Sequence, residues 1–148
     1  MPIPPFNEAG LLPNGIHSCT LEEVQQRFGS FQTSDRRPRL FLALKELVDE
    51  LRKAGVFRAM VIDGSFVTSK PAPHDIDVIL VLAEGFSFRK DWTPNQYNLF
   101  SARFIRRKFG IDVLVAQEGK EDCAAALELF QQVRNQPGRK KGLLRMSL

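Results

Sequence analysis

Residues 62–82, IDGSFVTSKPAPHDIDVILVL, constrain this chain more than any other stretch. An apolar strand runs into Gly64, a stiff proline-containing loop follows, and a second apolar strand, DIDVILVL, returns. That second strand opens with two carboxylates. Side chains alternate along a strand, so Asp75 and Asp77 share one face, with Cβ atoms about 6.5 Å apart. Ile79 and Val81 continue their face, and Ile76 and Val78 take the other. The carboxylates therefore belong at the exposed end of a strand whose remainder is core.

Around this hairpin the pattern reads as an α/β (α+β) domain, a small mixed β-sheet with flanking helices. Residues 1–37 form an N-terminal arm and a short helix, and 38–148 the core of a single domain. In the arm, TLEEVQQRFG gives a helix with Thr20 as N-cap, Glu23 completing a capping box and Gly29 as the stop. Apolar residues at three- and four-residue spacing, from Leu40 to Leu51, predict a long helix over 38–54, ended by Gly55. VFRAMVID is the strand before Gly64. GFSFRKDW reads as either a short strand or a loop. Thr93 and Pro94 start a helix that runs to Lys108, with Gly110 closing it. IDVLVA is a third strand, KEDCAAALELFQQVRN a last helix, and the tail from Leu143 to Leu148 an edge strand.

Composition excludes several classes. The longest apolar runs fall short of the ~18 residues of a membrane span, and the N-terminus lacks the basic start and apolar stretch of a secretory signal. Cys19 and Cys123 lack metal-ligand spacing and read as thiols in a reducing compartment, so cytoplasm is the default location. His17 and His74 do not make a zinc site. The net charge of +4 mildly favours an anionic partner. The basic residues cluster at Arg36, Arg37 and Arg39, at Arg103, Arg106, Arg107 and Lys108, and at Arg139, Lys140 and Lys141; each cluster reads first as a solvated surface.

Asp112 is the second residue of IDVLVA, and Leu114 and Ala116 continue its face. Were this strand a neighbour of DIDVILVL, three carboxylates would gather at one end of the sheet. Carboxylates that close repel one another unless a cation neutralises them. Mg²⁺ (or Mn²⁺) suits such a site, because it takes oxygen ligands, keeps several waters and accepts phosphate oxygens. A lone Asp-x-Asp is equally two solvated residues at a strand end. Gly64 and Ser65 add weight: the glycine lets a backbone approach a ligand and the serine offers a hydroxyl and an amide to a phosphate, although Gly64 also serves simply as a turn.

Gly-Ser, nine intervening residues, Asp-x-Asp and a third Asp on a later strand resemble the motif of the nucleotidyltransferase superfamily that includes DNA polymerase beta. The resemblance covers residues 56–116. LPNGIH and TLEEVQQRFG, together with IDGSFVTSK and DIDV, also look like small, uncharacterised minimal bacterial nucleotidyltransferase-like proteins. The resemblance implies that Asp75 and Asp77 bind metal and triphosphate. It makes Asp112 a ligand of the catalytic metal that activates an attacking hydroxyl, and gives Gly64 and Ser65 the β- and γ-phosphates. It implies transfer of a nucleoside monophosphate from an NTP to RNA, such as tRNA, or to a partner protein, with release of pyrophosphate. Minimal members often form one half of a toxin–antitoxin pair. One residue departs from the pattern: the position before Gly-Ser is usually apolar or small, and here it is Asp63. It either satisfies turn amides or faces the triphosphate and weakens its binding.

Lys70 lies in the loop and either reaches a phosphate or is solvated. His74 either orients Asp75 or is a plain loop residue. Arg103 and Arg107, four apart, share a helix face. Trp92 and Tyr97 suit core packing or base stacking. Two other functions compete with the enzyme: a catalytically silent nucleotide-binding or regulatory module, and a basic nucleic-acid-binding domain whose binding would be steeply salt-dependent without Mg²⁺.

Overall fold

The computed structural model describes residues 3–29, 35–70, 73–87, 92–133, 136 and 138–148. A five-stranded mixed sheet organises the chain, with helices on both faces. Strands β1 (Gly15–Ser18), β2 (Phe57–Asp63), β3 (Asp77–Leu82), β4 (Asp112–Gln117) and β5 (Gly142–Ser147) lie in the order β1-β5-β2-β3-β4. The pairs β1/β5 and β3/β4 are parallel, and β2/β3 and β2/β5 antiparallel.

Helix α1 (Leu21–Phe28) carries the expected reciprocal capping box between Thr20 and Glu23. Helix α2 (Arg36–Ala54) ends at Gly55, whose φ of 67° lies in the left-handed region a glycine tolerates. Its buried stripe, Phe41, Leu44, Leu47, Val48 and Leu51, packs with α1 and the later helices on one sheet face. That face is made by Met60, Ile62, Val78, Leu80 and Leu144. Alternation sends Val61, Ile79, Val81 and Leu143 to the opposite face, where helix α5 (Glu121–Gln131) lies. The contacts there are small, Ala59, Ala116, Cys123 and Ala126, so the helix sits close to the sheet. The central strands β2, β3 and β5 are thus largely buried on both faces, whereas the edge strands are only partly covered, with Leu114 on β4 and Ile16 on β1 exposed.

Three expectations change. The tail is a strand but not an edge: β5 is enclosed between β2 and β1, and β1 comes from the arm read as irregular. Gly142 permits this crossing, because a Cβ there would collide with the Pro13 carbonyl, and its N–H donates to Leu12 O at 2.9 Å. The helix expected from Thr93 to Lys108 is two, α3 (Pro94–Asn98) and α4 (Ala102–Phe109). Ser101 breaks it: its hydroxyl accepts from Phe104 N–H as a new N-cap, competing with continuation of the ladder. Strand β3 begins at Asp77 rather than Asp75. GFSFRKDW falls partly on residues 88–91, which lie outside the described residues. Among the described residues no helix is long and apolar enough to cross a membrane.

Candidate functional site

The register across three adjacent strands places Asp63 opposite Asp77, and Asp77 opposite Asp112. Strands lie about 4.8 Å apart, and register partners share a face. The three carboxylates therefore form a row across the end of the sheet, on the face that α5 covers further along. Asp112 is anchored there by its own N–H, which donates to Ile76 O at 3.3 Å.

Asp75 joins the row from the preceding loop, held by the Gly64–Ser65 turn. Its Oδ1 accepts from the Ser65 N–H at 3.1 Å and from the Ser65 hydroxyl at 2.8 Å. The Ser65 hydroxyl in turn accepts from the N–H groups of His74, at 3.0 Å, and Asp75, at 3.4 Å. Ser65 is thus the clasp of Asp75 in this structure, and both of its donors face that carboxylate. His74 contributes through its backbone. Gly64 is required twice over. Its φ of 96° with ψ of 176° is a region almost confined to glycine, and a Cβ would lie 3.0 Å from both the Asp75 carbonyl and the Asp77 nitrogen.

The loop between Ser65 and Asp75 is held from beneath by Arg37. Read as part of a solvated cluster, Arg37 is instead fully buried. Its guanidinium donates to the carbonyls of Phe66 (2.6 Å), Thr68 (2.7 Å) and Lys70 (2.5 Å), and to Phe28 O at 3.3 Å. A planar five-donor fork collects carbonyls that diverge from one point, which an ammonium could not do as well.

Lys141 is likewise drawn out of its basic cluster. It stands just before β5, two residues from Leu143 and on the same face. Its Nζ lies 2.9 Å from Asp63 Oδ1, an ion pair rather than an aligned hydrogen bond. Asp63 is buried, and burial pushes its carboxyl up from the ordinary value while Lys141 and the Gly64 N–H pull it down. Asp63 thus lies beside the turn amide of Gly64 and meets a lysine.

Two of the four carboxylates pair with cations among the described residues. Lys141 neutralises Asp63, and Arg106 on α4 pairs with Asp112 at 3.0 Å on the exposed outer side. Asp77 makes no salt bridge among the described residues. Burial, then the neighbouring Asp75, Asp63 and Asp112, push its carboxyl up to about 6, against the pull of Lys141.

A cleft of about 940 Å³ opens over the row. Gly64, Ser65, Lys70, His74, Asp75 and Asp77 line it, with Asp63 and Lys141. Asp112 stands beside Asp77 but outside the lining. Among the described residues no three His, Cys, Asp or Glu side chains are disposed to hold a metal together. Asp75 and Asp77 could hold one as a pair, since Mg²⁺ fills its remaining positions with water. Trp92 and Tyr97 lie away from the cleft, Trp92 stacked on Phe100 at 4.9 Å and edge-on to Tyr97.

Lys141, Arg37 and the cleft's apolar wall at the end of α5 escaped sequence reasoning. Nothing local separates Lys141 from Arg139 and Lys140 except its two-residue offset from the apolar Leu143, a signal legible only once β5 is known to lie beside β2.

Residues 4–147 match the model of DUF6932, a family of unknown function, and the chain belongs to that family. No curated protein and no solved structure matches it.

Proposed function

We propose that this member of DUF6932 is a nucleotidyltransferase dependent on Mg²⁺ or Mn²⁺, transferring a nucleoside monophosphate from an NTP to a hydroxyl of RNA or protein. The observation that carries the reading is the carboxylate row in register across β2, β3 and β4, joined by an Asp75 clasped to the Gly64–Ser65 turn. The resemblance to the nucleotidyltransferase superfamily rests on those residues. The surplus charge at Asp77 supports the cation, because a divalent ion would remove the repulsion that raises that carboxyl.

A bound Mg²⁺ or Mn²⁺ would offset the negative charge of the carboxylates and of the triphosphate. Asp75 and Asp77 would hold it from the cleft floor. Lys70 and Lys141 line the same cleft, and their ammonium groups would face phosphate oxygens. The pairing of Lys141 with Asp63 answers the concern that Asp63 repels the triphosphate. Asp112 would accept the proton of the attacking hydroxyl, for which Arg106 must turn aside. An oxygen–phosphorus bond then forms at the α-phosphate, the α–β bridging bond breaks, and pyrophosphate leaves. The acceptor, tRNA or a partner protein of a toxin–antitoxin pair, belongs to this proposal.

A second reading has its own support: two of the four carboxylates are already neutralised by protein cations, as suits a nucleotide-binding module without turnover. One assay separates the two. The protein is incubated with each labelled NTP, Mg²⁺ or Mn²⁺, and total tRNA or lysate, beside Asp75→Ala/Asp77→Ala. Label transferred by the wild type alone supports the enzyme. Nucleotide binding without transfer supports the module. Equal transfer by both proteins refutes the site.

A further inference from the structure

The cleft is larger than an ion and its waters require, and its two sides differ in chemistry. One side is the carboxylate row with Ser65 and Lys70. The other is apolar, made by Leu129, Phe130 and Val133 at and just beyond the end of α5. Leu129 is 63% exposed, the most exposed large apolar residue among the described ones. Phe130 is anchored beneath it, packed against the small core under α5.

This apolar wall is fixed relative to the polar floor. Lys141 N–H donates to Gln131 O at 2.7 Å, and Val133 N–H to Arg139 O at 3.0 Å. Gln132 and Lys140 form a β-bridge. The wall and Lys141 are thus stitched into one unit, and α5 lies on the sheet face that carries the carboxylates. A cleft of about 940 Å³ is at the upper end of those that enclose a small organic ligand. A ligand matching both sides has an anionic tail and a flat, largely apolar head.

We infer that Leu129 and Phe130 form the seat of the nucleobase, with the triphosphate directed toward Lys70 and Lys141. Gln132, exposed on the same rim, presents an amide to the base edge. This inference rests on the nucleotide reading above and adds which wall takes the base.

The test is equilibrium binding of two kinds of probe, the four common NTPs taken singly and inorganic tripolyphosphate, with Ca²⁺ in place of Mg²⁺ to suppress turnover. The proteins are the wild type, Leu129→Gln, which changes an exposed position, and Phe130→Leu, which keeps an apolar side chain over the small core. The wild type is expected to bind at least one NTP about tenfold or more tighter than tripolyphosphate, in the range that contact of one base with an apolar seat provides. Leu129→Gln is expected to remove most of that difference while tripolyphosphate affinity stays within about twofold, a change below about 0.4 kcal/mol. An NTP advantage that survives both substitutions, or a wild type that binds the two probes equally, overturns the base seat and leaves the phosphate site standing. Failure of the wild type to bind either probe overturns the nucleotide reading and the inference with it.

Discussion

Replacing Asp77 by Asn should make the protein more stable, and only above mildly acidic pH. Asp77 titrates near 3.8 when exposed and at about 6 in the fold. A folded-state value above the unfolded one means that the folded chain holds this proton more tightly. Its contribution to stability is therefore full below about pH 4, falls as pH rises toward 6, and is lost above. The difference amounts to about 3 kcal/mol at full ionisation. Asp77 is only half-buried, and solvent screening brings the figure to ~1–2 kcal/mol. Asn keeps the shape and cannot ionise, so it recovers that amount at pH 7.5. With a urea dependence of ~2 kcal/mol per molar, the unfolding midpoint of Asp77→Asn should lie ~0.5–1 M above that of the wild type at pH 7.5. The two should coincide near pH 4. An Asn variant no more stable than the wild type at pH 7.5, or equally stabilised at both pH values, would refute the view that the carboxylates strain this end of the sheet. The strain itself is what a functional site would be expected to carry at some loss of stability.

Gly64→Ala should lose ~2–4 kcal/mol in urea unfolding, from its positive φ and from a Cβ 3.0 Å from two backbone atoms; a loss under ~0.5 kcal/mol would mean that the turn relaxes freely. Arg106→Ala should leave stability within ~0.5 kcal/mol, because its pair with Asp112 is exposed. The same variant should tighten Mn²⁺ binding by about fivefold as a competing cation is removed, and unchanged affinity in calorimetry would show that the charge at Asp112 does not reach the cation.

Much of the fold was legible because its signals are local. The Thr20–Glu23 capping box, the glycine ending α2 and the alternation that puts Asp77 on the face of Ile79 and Val81 are each written within a few residues of where they act. So are the three strands that supply the carboxylates and the glycine turn before the first pair. The division of one expected helix into α3 and α4 was missed for a local reason too, since Ser101 is a cap whose strength only the folded backbone displays.

What the sequence determined by itself, then, is most of the elements and the face that Asp77 and Asp112 take on their strands, because alternation and capping need no partner from elsewhere in the chain. Tertiary structure alone decided which elements are neighbours. It put Asp112 in register with Asp77, enclosed β5 between β1 and β2, and so brought Lys141 to Asp63. It buried Arg37 beneath the Ser65 loop, and it set Leu129 over the cleft. These are pairings across long stretches of chain, and an arginine that will be buried among carbonyls has the same letter as one left in water. Only the packing that strips the water away distinguishes them.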